Sequence, residues 1–202
     1  MRKNRRVLVT GAAGLLGARL CADLAREGRL GAAPIERLIM TDVAPLPAPA
    51  APACAVEVRC EDLTSPDVPT RLAALDADVI LHLAATVEGE AETRFEDGYA
   101  INFDAARALC EAIRVRGGPA PRMVATSSIA VFDAPLPPVV GDEFQVQPLS
   151  SYGAQKAMTE LLLCDYARKG WIDALAPRLA TVAVRPGPPR AGASAFFSTI
   201  VS

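Results

Sequence analysis

The sequence predicts a doubly wound α/β fold, a parallel sheet covered by helices on both faces. Three observations predict it. Short β-branched apolar runs recur along the chain, helix-period segments separate them, and a glycine-rich turn joins the first run to the first helix. The 202 residues suffice for one domain with a sizeable core. With 51% hydrophobic residues the chain buries enough apolar surface to offset chain ordering, which excludes intrinsic disorder. A formal net charge of -2 argues against phosphate gripping, so no nucleic-acid partner is expected. The early Arg2, Lys3, Arg5 and Arg6 read as solubilising the entry to the first strand.

No apolar stretch is long and uninterrupted enough to predict a membrane span, and no secretory cleavage site follows Val7-Leu8-Val9. Cys21, Cys54, Cys60, Cys110 and Cys164 are scattered without a C-x-x-C pair, the pattern of small hydrophobes in a reducing cytoplasm. With His82 as the single histidine, no metal site is expected.

Arg6–Thr10 reads as a buried parallel strand, and Leu15–Arg26 as a helix with Leu16, Leu20 and Leu24 on one stripe. Arg37–Thr41 is a second strand ending at Asp42, followed by a Pro/Ala surface excursion over 43–53. Val56–Arg59 is a third strand, Pro66–Leu75 a short helix, and Asp78–Ala85 a fourth strand leading into an acidic loop over Glu88–Asp97. Its acids suit a solvated loop and a helix start. Asn102–Arg116 carries Ala105, Leu109 and Ile113 at helical spacing. Met123–Ser127 is a fifth strand, 133–148 a proline-rich loop, Ser151–Lys169 a helix and Ala180–Val184 a sixth strand.

Gly11-Ala12-Ala13-Gly14-Leu15-Leu16-Gly17 stands between the first strand and the first helix. Its G-x-x-G-x-x-G spacing is a variant of the dinucleotide (Rossmann) fingerprint. The first glycine permits a tight turn, the second lets backbone approach a pyrophosphate, and the third lets helix pack on strand, with phosphates facing helix amides. Asp42 closes the second strand, where a carboxylate can accept both hydroxyls of an adenosine ribose. It lies ~30 residues past the glycines rather than the ~20 usual, the excess being absorbed by 28–36. A 2′-phosphate would meet that carboxylate with no adjacent Arg or Lys, so NAD is favoured over NADP.

Tyr152 and Lys156 form Y-x-x-x-K and share one helix face. A free tyrosine holds its proton to pH ~10, and a nearby ammonium and an oxidised nicotinamide both favour the phenolate. Ser127 and Ser128 end the fifth strand, at the sheet edge where open α/β folds bind ligands. A serine there can hold a reacting hydroxyl between the tyrosine oxygen and the nicotinamide. His82, within an apolar strand, reads as a core or supporting imidazole rather than a catalytic one.

The set Gly11/Gly14/Gly17, Asp62-Leu63, His82-Leu83-Ala84-Ala85, Ser127-Ser128, Tyr152-x-x-x-Lys156 and Arg185-Pro186-Gly187 resembles the extended short-chain dehydrogenase/reductase superfamily, in its NAD-dependent epimerase/dehydratase branch. Three longer stretches, GEAETRFEDGYAIN, APLPPVVGDEF and PLSSYGAQKAMTELLLCDYARKG, with the later RPGPP and ASAFFS, are similar to the D-erythronate dehydrogenase group within it. The resemblance implies NAD-dependent oxidation of the 2-hydroxyl of a small sugar acid to the 2-oxo acid.

It further implies Tyr152 as the proton acceptor, with Lys156 holding the nicotinamide ribose and tuning Tyr152. Ser128 is implied as the catalytic serine ahead of Ile129-Ala130-Val131-Phe132, with Ser127 the less favoured choice. Asn102 would order a water beside Lys156. Gly11, Ala13, Gly14, Leu15, Leu16, Gly17 and Asp42 would cradle the cofactor with Asp62, Leu63, Leu83, Ala84 and Ala85, and Pro186 would close over the nicotinamide. A homodimer through 102–116 and 151–169 is the associated expectation.

Three positions depart from the narrower pattern: Glu88 replaces a small serine, Asp133 a glycine and Arg190 an asparagine. Two other readings stay open, a nucleotide-sugar epimerase or dehydratase using bound NAD and a catalytically silent NAD-binding fragment. The expected organisation is an NAD-binding domain over 1–188 and, over 189–202, the start of a truncated substrate region. Its apolar 195–201 segment would need cover.

Overall fold

The computed structural model describes residues 4–132 and 135–181. In chain order the strands are β1 (Arg5–Thr10), β2 (Arg29–Leu30), β3 (Ala33–Asp42), β4 (Ala55–Cys60), β5 (Val79–His82), β6 (Arg122–Ala125), β7 (Ser127–Ser128), β8 (Asp173–Leu175) and β9 (Arg178–Leu179). The helices are α1 (Leu15–Glu27), α2 (Val68–Ala74), α3 (Glu88–Thr93), α4 (Phe95–Tyr99), α5 (Ala105–Arg116) and α6 (Ser151–Arg168). A π-helical turn, Ala100–Asp104, joins α4 to α5, and a 3-10 turn, Ile129–Val131, follows β7.

Parallel pairing runs β4–β3–β1–β5–β6–β8, and β2 adds an antiparallel hairpin to the start of β3. β1 pairs β3 on one side and β5 on the other. Successive strands therefore leave β1 in opposite directions, and the ends of β1 and β5 lie at this reversal, where sheets of this type have their ligand crevice.

Alternation along the strands separates two cores. Leu8, Ile39, Ile80 and Met123 face Leu72 of α2, Leu109 and Ile113 of α5, and Leu163 of α6. Val7, Val9, Leu38, Met40 and Leu81 face Cys21 and Leu24 of α1. Both faces of β1 are sealed, so Val7-Leu8-Val9 is a continuous apolar run, as interior parallel strands require. Burying each such side chain contributes about 1.5–3 kcal/mol.

The doubly wound architecture is thus as the sequence predicts, with four differences in detail. The sixth sheet strand is Asp173–Leu175, not Ala180–Val184. Residues 180 and 181 carry no strand, and 182–184 lie outside the described residues. Asp173 is fixed there by Arg122 across the pair, at 2.6 and 2.8 Å. The acidic stretch is helical in α3 and α4, because Ala91 and Gly98 provide an inward edge for packing.

The fourth strand stops at His82, which releases Leu83–Ala85 into the crevice. The fifth stops at Ala125, and Ser127–Ser128 form a separate strand paired to β9. Pro186, Asp133, Arg190 and the 195–201 segment lie outside the described residues.

Candidate active site

The glycine turn is shaped by close approaches that exclude side chains. Gly11 has φ +72, and a β-carbon on it would lie 2.5 Å from the Ala84 nitrogen and 2.6 Å from the Leu83 carbonyl carbon. The turn after β1 therefore rests directly on the chain leaving β5. A β-carbon on Gly17 would lie 2.0 Å from the Gly11 oxygen, so only glycine lets α1 seat on the turn. Gly14 is the extended N-cap of α1, with no side-chain cap and no acidic residue in the first turn. The leading amides of α1 are thus not neutralised by a side chain, and Leu15 and Leu16 stand exposed beside them.

Asp42 sits at the mouth of this turn. Its Oδ2 accepts from the Ala13 N–H at 2.9 Å and its Oδ1 from the Ala44 N–H at 2.9 Å. Each carboxylate oxygen keeps a further lone pair for an outside donor. The next turn is tied in through the Glu61 N–H, which donates to the Asp42 carbonyl at 2.9 Å. There Asp62 is exposed, its Oδ1 accepting from the N–H and hydroxyl of Thr64 at 2.9 and 2.8 Å, while half-buried Leu63 packs against the core.

On the other side of the crevice, Ser150 caps α6 by accepting from the Gly153 N–H at 3.1 Å. The helix thus begins just before Tyr152. Lys156 is 5% exposed, its Nζ donates to the Thr126 carbonyl at 2.9 Å and lies 5.5 Å from the Tyr152 ring centre. Burial lowers its pKa to about 8.

The two serines differ in their commitments. The Ser127 hydroxyl donates to Glu160, whose carboxylate is gripped by Arg178 at 2.7 Å. The Ser128 hydroxyl oxygen accepts from the Ala130 N–H at 3.1 Å, which leaves its own hydrogen free for another partner. His82 is buried, with Nδ1 2.8 Å from the Thr10 hydroxyl. Burial, and secondarily the Lys156 charge, push its pKa down to about 4, so it is neutral at physiological pH.

Residues 7–200 match the model of the NAD dependent epimerase/dehydratase family. The chain belongs to this family. It is 45% identical over 200 residues to the D-erythronate dehydrogenase of Cupriavidus necator, covering 96% of this chain and 60% of that protein. It is 40% identical over 199 residues to the D-erythronate dehydrogenase of Haemophilus influenzae, covering 97% and 61%. A solved structure described as the nucleoside-diphosphate-sugar epimerase from Agrobacterium tumefaciens superposes with a TM-score of 0.93 at 48% identity, covering 98% of this chain and 58% of that one. The chain thus spans about 60% of the length of the curated relatives it matches.

The cofactor that names the epimerase/dehydratase family fits the residues present. The turn at Gly11 and Gly17 leaves no room for a side chain, the α1 amides are uncapped, and Asp42 offers acceptors beside them. Of the three departures from the narrower pattern, Glu88 is exposed on the first turn of α3, so it carries no burial penalty.

Asn102 is 2% exposed within the π-helical turn, a distortion often found at functional sites. Its hydrogen bonds run to the Thr86 N–H (2.8 Å, accepted by Oδ1) and to Gln155 Oε1 (2.7 Å, donated by Nδ2). Gln155, Thr86, Thr126 and Glu160 are the site-shaping residues that sequence reasoning missed. A signal existed for one group: Gln155, Lys156 and Thr159 occupy the inward stripe of α6, where apolar residues belong.

Proposed function

We propose that this chain carries the cofactor-binding and catalytic parts of an NAD-dependent dehydrogenase that oxidises the 2-hydroxyl of a D-erythronate-like sugar acid to the 2-oxo acid. The observation that carries this reading is buried Lys156, 5.5 Å from the Tyr152 ring and bonded to the Thr126 carbonyl two residues before Ser128. Relatives that are D-erythronate dehydrogenases at 40% and 45% identity support the substrate class. Residues 1–188 form the NAD-binding unit in this reading, and 189–202 begin the substrate region.

Gly11, Ala13, Gly14, Leu15, Leu16 and Gly17 hold the pyrophosphate. Asp42 accepts the adenosine ribose hydroxyls, and NAD is preferred to NADP because a 2′-phosphate would face that carboxylate. Asp62 and Leu63 border the adenine, and Leu83, Ala84 and Ala85 line the cofactor. When bound, NAD supplies the acceptor for the hydride leaving the substrate carbon.

Ser128 donates to the reacting hydroxyl and orients it. The Tyr152 oxygen takes its proton as the carbonyl forms, and the Lys156 ammonium favours the phenolate and holds the nicotinamide ribose. Asn102 orders a water beside Lys156 in the same reading. Ser127, already donating to Glu160, holds the strand of Ser128 rather than the substrate. A homodimer through 102–116 and 151–169 belongs to the same reading, supported by exposed Val115 and Leu161 on α5 and α6.

The deciding experiment incubates the purified protein with NAD and D-erythronate and follows NADH absorbance. Net NADH formation is expected. A second reading, nucleotide-sugar epimerisation, is favoured by the similarity to the Agrobacterium tumefaciens structure. Tightly retained NAD with no net absorbance change, together with epimerised nucleotide-sugar, would replace the first reading by the second. NAD binding without turnover of either substrate would leave a silent binding protein.

A further inference from the structure

Gln155 is completely buried between Tyr152 and Thr159 on α6, next to Lys156. Its amide orientation is determined by its neighbours. The Thr86 N–H needs an acceptor, so Asn102 must present Oδ1 to it and Nδ2 to Gln155, and Gln155 must answer with Oε1. Gln155 Nε2 then points towards Gly98, where a β-carbon would lie only 2.8 Å away, and it has no acceptor among the described residues.

A buried donor without a partner is destabilising, and an apolar residue of the same volume would avoid that loss. One turn on, the Thr159 hydroxyl bonds the Asn102 carbonyl at 3.0 Å and the Gln155 carbonyl at 2.9 Å. Both ends of the π-helical turn's asparagine are thereby held by α6, and its far edge holds the loop after β5.

We propose that Gln155 is a positioning residue: it sets the side-chain orientation of Asn102 and, through it, latches the Thr86 backbone to the helix bearing Tyr152 and Lys156. The loop so fixed continues from Leu83–Ala85, the segment assigned above to the cofactor, so the consequence for NAD rests on that functional reading. The latch itself does not.

The test is amide hydrogen exchange of the protein without NAD, followed by calorimetry with NAD. Gln155→Met should raise the exchange rate of the Thr86 amide about tenfold, the support of one buried hydrogen bond. The Leu81 amide in β5 should keep its protection. Gln155→Glu keeps the accepting oxygen and should restore Thr86 protection. Gly98→Ala displaces the amide from behind and should mimic Gln155→Met, which covers the case in which Gln155→Met does not fold.

Unchanged Thr86 exchange in Gln155→Met or, where that variant does not fold, in Gly98→Ala would overturn the proposal. An equal rise at Thr86 and Leu81 would overturn it too, since that marks general destabilisation. NAD affinity should fall about tenfold in Gln155→Met. A wild-type chain with no NAD affinity would sink the functional reading while leaving the latch to be judged on exchange alone.

Discussion

Gly153 lies so close to Ala130 that a β-carbon on residue 153 would stand 2.1 Å from the Ala130 carbonyl oxygen. This approach seats the first turn of α6, with Tyr152, on the turn that follows Ser128. Gly153→Ala should therefore destabilise the protein by roughly 1–3 kcal/mol, although alanine is the better helix former. Turnover should fall further than stability, because the serine–tyrosine spacing changes. Chemical unfolding and steady-state rates on the same preparation check both.

Lys156 is held at a cost to stability. Its pKa in the fold is about 8 against an ordinary 10.5, so between these values the unfolded chain binds more protons and stability rises with pH. Lys156→Met should remove this rise. At neutral pH it should stabilise the fold by about 1–2 kcal/mol, less than the full titration difference because the Thr126 carbonyl loses its donor. Turnover should vanish in the same variant. Denaturant midpoints from pH 7 to 10 test the slope.

His82 gives a window on the acid side. Its pKa of about 4 lies below the ordinary 6.5, so acidification through that range protonates the unfolded chain first. Stability should fall by up to about 3 kcal/mol from this group alone as pH drops from 6.5 to 4. His82→Gln should flatten the part above pH 5, where carboxylates contribute little. An unchanged slope there would remove the histidine from the account.

Asp42 should govern cofactor choice. Asp42→Ala should weaken NAD binding about tenfold and narrow the preference over NADP, since in the proposed reading one carboxylate both accepts ribose hydroxyls and repels a phosphate. Calorimetry with the two dinucleotides separates this from a general loss. The Ala13 N–H, which Asp42 also accepts, makes part of the weakening common to both.

Tyr152→Phe removes one oxygen from the site. Turnover should be abolished and NAD affinity should stay within about threefold of the parent, because in the proposed mechanism the phenol acts on the reacting hydroxyl rather than on the pyrophosphate. Equal turnover in the variant would rule out the tyrosine as proton acceptor.

Much of this fold is readable before any coordinates. Val7–Val9 and Leu38–Met40 are unbroken apolar runs because both faces of their strands are sealed, and such runs stand out in a sequence. Asp173–Leu175 does not stand out. It is three residues long, and what holds it is Arg122 across the sheet and the burial of neighbouring Ile172, neither of which exists until β6 is in place. The apolar, β-branched run Ala180–Val184 carries the stronger strand signal in the sequence.

The glycine turn, Asp42, Tyr152 and Lys156 are local signals that spacing reveals. Gln155 leaves only a faint signal, a polar residue on the inward stripe of α6, because its meaning depends on Asn102, 53 positions earlier. Glu160 likewise gains its meaning only when Arg178 and Ser127 arrive beside it.

The same separations bear on the order of assembly. The glycine turn closes on itself through the Gly14 N–H and the Gly11 carbonyl, three residues apart, at 3.1 Å. The bonds around Asn102 span 16, 53 and 57 positions. Long closures carry more chain entropy and form later. The inner closure of the glycine turn can therefore form early on a growing polypeptide, whereas its seat on Ala84 and the network around Asn102 both wait for distant partners.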